Sequence, residues 1–542
     1  MQSKSGQMQR YSKSNEDLEA EYEENLSLLS INKQAYSLPV SSSNVADRSY
    51  QQYLLQPTEY QNVSPATSAN VIFNTGNLNV NGPNSVLQCS IKFTNGGADL
   101  PANLCWSFGN NDPESGQVQS GASLANIIRE AIIQSRSGAM IQRNTYANVL
   151  AAAKAPFEKG VQQGFITAES GGASWMAQPS PFQNSGNNYG GFVYPVYSCS
   201  SEVFFELPLS KVLSFFGTNA PLCGVILSGA KLTLNFESML TAFVFYQCTT
   251  PSNAGGSPPA GPFRLVNPLV TTPATGQGEA PAFPELLGAP NLAYNVRNAQ
   301  MMLDTTQVFD SSSALIMASA SSLESSGLQF PFWGTYQTRT TLNTSSNTID
   351  IMISAAKLKT VIVVFRSQAD INTGMKDSFA RLPLVNYGGV ADGTSIFVGG
   401  NAAVGQLGVD GSLRLRLGSQ LNTLTPIRSA GQLYRQTYNA LTTVKAASNV
   451  CDIDPVYSEG RDVAVGVSYS DWYYKTGSTT IAFDMSRSPI VSVSGGASNN
   501  SKAILLEVVN CAATVNAPIV VDIFCEILCC LNSTTENSVL DQ

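Results

Sequence analysis

The chain has 542 residues, too many for one ordinary core, so two or more domains are expected. It contains no histidine, which excludes Ser-His-Asp and Cys-His relays, His-containing metal sites and the usual proton shuttle near neutral pH. The net charge is −8 without any block of Lys and Arg, which argues against bulk electrostatic binding of nucleic acid; charged residues are only 13% of the chain, against roughly 25% in an ordinary soluble domain, and such charge-poor surfaces suit subunit interfaces.

Residues 1–62 are polar and rich in Ser and Gln, with an acidic run at Glu16, Asp17, Glu19, Glu21, Glu23 and Glu24. Leu18, Tyr22, Leu26 and Leu29 recur at helical spacing through that run. The segment reads either as a solvated tail or as an arm whose apolar stripe docks on a neighbour. From Val63 the texture becomes β, with strands at 71–73 and 86–93 around a turn at Asn81-Gly82-Pro83-Asn84. A strand at 123–133, a Gly turn at Ser137-Gly138, a short strand and a small helix at 145–150 follow. Residues 203–237 read as strand, short helix, strand. Pro208 ends the first strand because proline cannot donate to a ladder. Val212, Leu213, Phe215 and Phe216 fill one helical turn, and Gly217 closes it. From Leu227 the period is two, with Ala230, Leu232, Leu234 and Phe236 on one face.

Residues 249–289 are rich in Pro, Gly, Ser and Ala and read as the connection between domains. Beyond it, 291–303 looks like a first strand, Ser311–Leu323 a helix, and 348–353 and 359–366 paired strands. Val361–Phe365 is continuously apolar, as in a strand buried on both faces. Leu413–Leu417 alternates Leu and Arg. A helix is expected over 426–441, then strands at 463–468, 480–485, 502–510 and 518–531, and a polar tail after Asn532. The boundaries are therefore an arm at 1–62, domains at 63–248 and 290–532, the connection at 249–289 and a tail at 533–542.

Chemistry-bearing motifs are scarce. The ten cysteines cluster only at Cys525, Cys529 and Cys530, which read as small apolar thiols in a buried strand. No phosphate-binding glycine motif survives inspection. The N-terminus has no apolar core of a signal peptide. The most apolar stretch, Ile519–Leu531, is interrupted by Asp522 and Glu526, so no membrane span is expected. A reducing cytosol with free thiols is the expected site of synthesis, which makes the sequon Asn343-Thr344-Ser345 a chance match. No catalytic, cofactor-binding or metal-binding residue is assigned.

Two runs of short strands with Gly/Pro turns predict an all-β chain of two consecutive jelly-roll sandwiches with short helices and long loops. The Pro-Leu-Ser…Phe-Phe-Gly block at 208–217, the Pro-rich segment and the second run of strands resemble, in that order, the double jelly-roll major capsid proteins of the adenovirus, Polinton and virophage lineage of icosahedral DNA viruses. Tyr438, Asn439 and Leu441 resemble that family's helix pattern more closely than Tyr146–Leu150 does, and the two together hint at an internal duplication. The resemblance implies a homotrimer with a pseudo-hexagonal outline and neighbouring capsomers as partners. It also implies penton and minor capsid or cement proteins as partners, location in the virion shell, and no enzymatic role. The alternative is a glycan-binding or glycan-cleaving jelly roll that stacks sugars on Trp106, Trp175, Trp333 or Trp472, whose competing role is core or interface packing.

Overall fold

The computed structural model describes residues 47–76, 78–109, 123–158, 197–218, 222, 224–250, 260–270, 289–307, 328–353, 357–385, 393–399, 405–417, 420–421, 426–441, 479–485, 504–533 and 538–541. Its first strands are β1 (Asp47–Leu54), β2 (Ser68–Ile72), β3 (Asn79–Asn95), β4 (Leu104–Ser107), β5 (Ile128–Gln134) and β6 (Met140–Thr145), followed by helix α1 (Ala147–Glu158). Next come β7 (Tyr197–Ser198), β8 (Val203–Pro208), β9 (Lys231–Phe236), β10 (Val244–Thr250), β11 (Ala260–Leu265) and β12 (Leu292–Gln307). The second half holds β13 (Leu328–Leu342), β14 (Asn347–Ile351), β15 (Leu358–Ser367), β16 (Ser412–Leu417) and β17 (Gln420–Leu421), then α2 (Ala430–Leu441). It ends with β18 (Ile481–Asp484), β19 (Ile504–Val509), β20 (Ile519–Ser533) and β21 (Ser538–Asp541).

The strand order establishes two jelly rolls. In roll one, β1, β2, β3, β5, β6, β8, β9 and β12 serve as strands 1 to 8. They form sheets β1-β12-β3-β8 and β2-β9-β5-β6, which is the order 1-8-3-6 and 2-7-4-5. In roll two, β13 to β20 serve as strands 1 to 8 and form β13-β20-β15-β18 and β14-β19-β16-β17, the same order. The pairs within these sheets are antiparallel. Each roll has its long helix between strands 5 and 6, α1 in one and α2 in the other. The fold is thus all-β and duplicated, with eight strands per roll in two facing sheets.

Burial follows the pleat where one face is open. In β9, Leu232, Leu234 and Phe236 point into the core while Lys231 faces water. In β15, Val361–Phe365 are all buried, because both faces of that strand are covered.

Several elements fall elsewhere than the sequence indicates. The strand expected to open the second roll closes the first: β12 lies between β1 and β3, with Tyr294 opposite Phe93 and Leu303 opposite Gln51. The Pro/Gly-rich stretch expected to join the rolls contains β11, which pairs back on β10 with Tyr246 opposite Leu265. It is an insertion between strands 7 and 8 of roll one, since composition marks a loop without saying what it joins. The expected arm overlaps the fold, because β1 is a full edge strand. The expected turn at 81–84 lies inside β3, where the ladder to β12 shifts register. A Cβ on Gly82 would come within 2.3 Å of the Phe216 carbonyl oxygen, so this glycine serves a close backbone approach rather than a reversal. The polar tail supplies β21, which pairs with the end of β20. Leu124–Ile127 is a 3₁₀ turn before β5 rather than strand. The expected helix at 311–323, strand at 463–468 and arm stripe at 18–29 lie outside the described residues.

The Phe-Phe block forms two 3₁₀ turns, Leu209–Lys211 and Ser214–Gly217. Gln142 of β6 fixes the second: its Nε2 donates to Ser214 Oγ at 2.8 Å and its Oε1 accepts from Phe215 N at 2.9 Å. Phe215 and Phe216 are fully buried. Phe215 meets Phe330 and Phe332 of roll two edge-on at 5.4 and 5.2 Å. Phe215→Ala is expected to cost roughly 3–5 kcal/mol and to loosen the joint between rolls. Thermal melting of wild type and variant checks this, and an unchanged melting temperature contradicts it.

Candidate functional site

Among the described residues, the singled-out Cys525 and Cys529 are buried. Burial alone pushes the Cys89 thiol up to about 12. Burial, with the Glu526 charge nearby, pushes the Cys525 thiol up to about 12. Burial also raises Cys529, to about 11. These thiols stay protonated and unreactive at neutral pH. Among the described residues no group of three or more Cys, Asp or Glu could hold a metal ion, and no helix is long and apolar enough to cross a membrane. Trp106 is wholly buried under the sheet β11-β10-β4-β7. It packs against Phe93, Phe108, Tyr197 and Phe243 at 5.1–5.5 Å and is unavailable to a sugar. Trp333 lies beneath Lys359 at 5.3 Å. Trp175 and Trp472 lie outside the described residues.

What the chain does assemble is a seam between its two rolls. Helix α1 reads Ala-Asn-Val-Leu-Ala-Ala-Ala-Lys-Ala-Pro-Phe-Glu, apolar nearly all round, and a helix of that kind is buried on every side. The run Ala151–Ala153 is buried, and small side chains let a neighbouring backbone or side chain come close. Buried Arg381 of roll two donates through Nη1 to the Ala152 carbonyl at 2.9 Å, and Thr480 Oγ1 donates to the Ala153 carbonyl at 3.2 Å. Lys154, the helix's central charge, pairs with Glu526 on β20.

A second clasp sits beside the first. Tyr146, at φ +53 just before α1, carries the Arg339 guanidinium over its ring at 3.3 Å and Arg129 at 5.6 Å. Arg339 is held by Asp522 at 2.5 Å, and Asp522 also takes Arg366 at 2.7 Å. Asp522 is fully buried, and two guanidinium partners are what make that tolerable. Ser214 of roll one donates to the Trp333 carbonyl. Near the strand 7–8 link of roll one, the Gly374 carbonyl accepts from Phe245 N at 2.8 Å and Gly374 N donates to the Leu240 carbonyl at 3.1 Å. Asn372 accepts from Ser238 and Thr241. Asp522 and Glu526 were visible in the sequence as two charges in the apolar run of β20. Their spacing of four residues puts both on one face of the strand, and an acid on a strand buried on both sides needs a partner.

Burial works to raise the Glu526 pKa, but Lys154, Lys359 and a hydrogen bond from Thr360 outweigh it and bring it down to about 2.

No family model and no curated protein matches the chain. Solved structures similar to it include the PBCV-1 virus capsid, at 11% identity and TM-score 0.49 over 93% of this chain and 99% of that one. The Faustovirus major capsid protein is similar at 9% identity and TM-score 0.47 over 98% of this chain and 100% of that one. The structure of the Sputnik virophage is similar at 9% identity and TM-score 0.46 over 93% of this chain and 90% of that one.

The depressed Glu526 pKa sets a sign. A carboxyl whose folded pKa lies below its ordinary 4.5 contributes stability at higher pH and loses it as pH falls from 4.5 through about 2. Glu526→Gln is expected to lose roughly 2–3 kcal/mol at neutral pH and to flatten the acid limb of the stability curve. Melting from pH 7 down to pH 3 checks this; parallel curves for both proteins contradict it.

Proposed function

We propose that this chain is a major capsid protein of an icosahedral virus, acting as a trimeric building block of the shell. The observation that carries the reading is the duplication: two rolls of identical strand order, joined through the covered seam around α1. Two like sandwiches locked side by side make each chain a double tile, and three such chains around an axis present six like units, an outline that tiles a surface. The charge-poor composition supports the same reading, since it suits a surface largely occupied by other subunits. The function needs no chemistry, only burial of complementary surfaces. The partners are other copies, neighbouring trimers, and the penton and minor capsid or cement proteins that complete a shell. The working location is the virion.

Light scattering on the purified chain tests this. The expected mass is about 173 kDa, three times the 57.6 kDa chain, as a closed ring of identical subunits. Negative-stain images are expected to show a six-lobed outline. A particle that remains monomeric or dimeric at micromolar concentration contradicts the proposal.

A further inference from the structure

Arg129 is a cation that the seam gathers without neutralising. It lies in β5 where the ladder to β9 slips: Ile128 is opposite Phe236 and Glu130 is opposite Asn235, so Arg129 is the extra residue of a bulge. A bulge re-aims the side chain it carries. This side chain lies over the Tyr146 ring at 5.6 Å, and the Arg339 guanidinium of roll two lies over the same ring at 3.3 Å. Two like charges, one from each roll, thus share one aromatic platform.

The carboxylates around this platform are already occupied. Asp522 accepts from Gln337 Nε2 and Arg339 Nε at Oδ1, and from Arg366 Nε and Nη2 at Oδ2. A carboxylate has about four acceptor positions, so Asp522 has none left for the two terminal nitrogens of Arg339. Glu130 takes Arg143 and Asn235, both at 2.6 Å. Buried Glu237 takes Asn148 at 3.1 Å and Ser238 N at 2.9 Å. Among the described residues Arg129 has no hydrogen bond and no ion pair; the Tyr146 ring is its contact. Arg129 is partly exposed and the Arg339 side chain is 29% exposed, so solvent reaches both guanidinium groups.

We infer that Arg129 and Arg339 form an anion site on the Tyr146 platform, and that its ligand is a phosphate group. A guanidinium presents a planar fork of N–H donors that matches phosphate oxygens two at a time. Two such forks held at one ring suit a ligand with three or four oxygens and up to two negative charges. A lone carboxylate brings one charge and two oxygens, and leaves one of the two cations unmatched. The bound anion joins roll one to roll two beside the Asp522 clasp, so its occupancy strengthens the joint between them. The inference concerns the seam within one chain and is independent of the capsid-protein reading.

Titration calorimetry and thermal melting on the full chain at fixed ionic strength test this. The probes are sodium phosphate and glycerol phosphate, with sodium acetate and sodium chloride as controls. Phosphate is expected to bind saturably and to raise the melting temperature, and acetate and chloride are expected to do neither. Arg129→Gln is expected to bind phosphate at least about tenfold more weakly. Its melting temperature in chloride is expected to equal or exceed that of wild type, because the change removes a repelling charge and strands no acid. Arg129→Lys keeps the charge without the fork; it is expected to bind phosphate more weakly than wild type and carries the test should Arg129→Gln fail to fold. Glycerol phosphate that binds as tightly as phosphate assigns the terminal phosphate of a larger molecule as the ligand, and weaker binding assigns the free ion. Absence of saturable phosphate binding overturns the inference. Equal phosphate binding by wild type and both Arg129 variants overturns this site, and acetate that binds as tightly as phosphate overturns phosphate as its ligand.

Discussion

Helix α1 is buried on every side along Ala147–Ala153 because two rolls share it. One side packs on the strands of roll one, where Phe157 is wholly buried and Asn148 donates to Glu237 at 3.1 Å. Another side takes hydrogen bonds from Arg381 and Thr480 of roll two and offers Lys154 to Glu526. A helix of only twelve residues is marginal alone in water, so it is stable only where both neighbours are in place. The coupling runs both ways: Asp522 and Glu526 on β20 are tolerable inside the protein because cations from both rolls meet them. Removing either side exposes apolar helix on one part and strands an acid on the other.

Sharing a strand order does not make the rolls equal. The antiparallel order 1-8-3-6 and 2-7-4-5 brings the links 3–4, 5–6 and 7–8 to one end of each sandwich. In roll one those links carry β4, β7, β10 and β11, and the four pair into a further sheet. Trp106, Phe108, Phe243 and Phe205 interlock beneath it at 5.1–6.0 Å. Aromatic pairs of this geometry add about 0.5–1.5 kcal/mol each beyond the area they bury. That cluster lets insertions from three separate links act as one layer rather than three loose excursions.

The fold class was legible because period-two patterning survives wherever one face of a strand meets water. Leu232, Leu234 and Phe236 in β9 and the Leu-Arg alternation of β16 are such cases, and both are strands as read. The duplication was legible only faintly, through two helices with Tyr and Asn at their starts or ends, since α1 and α2 have opposite surroundings and so different sequences. The boundary between rolls was not legible. Strand β12 follows a Pro/Gly-rich stretch and looks like a beginning, and its partners in β1 and β3 lie 197 or more residues earlier in the chain, Leu292 opposite Asn95 being the nearest pair. Sequence-local reasoning does not see that separation. The turn read at Asn81–Asn84 failed for a related reason. Asn81 and Asn84 look like turn residues, but their amides donate to Asp304 at 3.1 Å across a bulged ladder, a long-range use that the local pattern imitates.

The seam residues were in view without their role being so. Asp522 and Glu526 were read as interruptions that disqualify β20 from crossing a membrane, and the physical reason for their presence lies one step further. A strand buried on both faces can carry an acid only where a fixed cation reaches it, so each acid implies a partner from a neighbouring layer. In β20 those partners include Lys154, which belongs to the other roll, and Arg339, which bridges to Tyr146 of the other roll. The charges that look like defects in an apolar strand are therefore the points at which one roll recognises the other. Their polarity fixes the register of that contact in a way that apolar packing alone, being non-directional, does not.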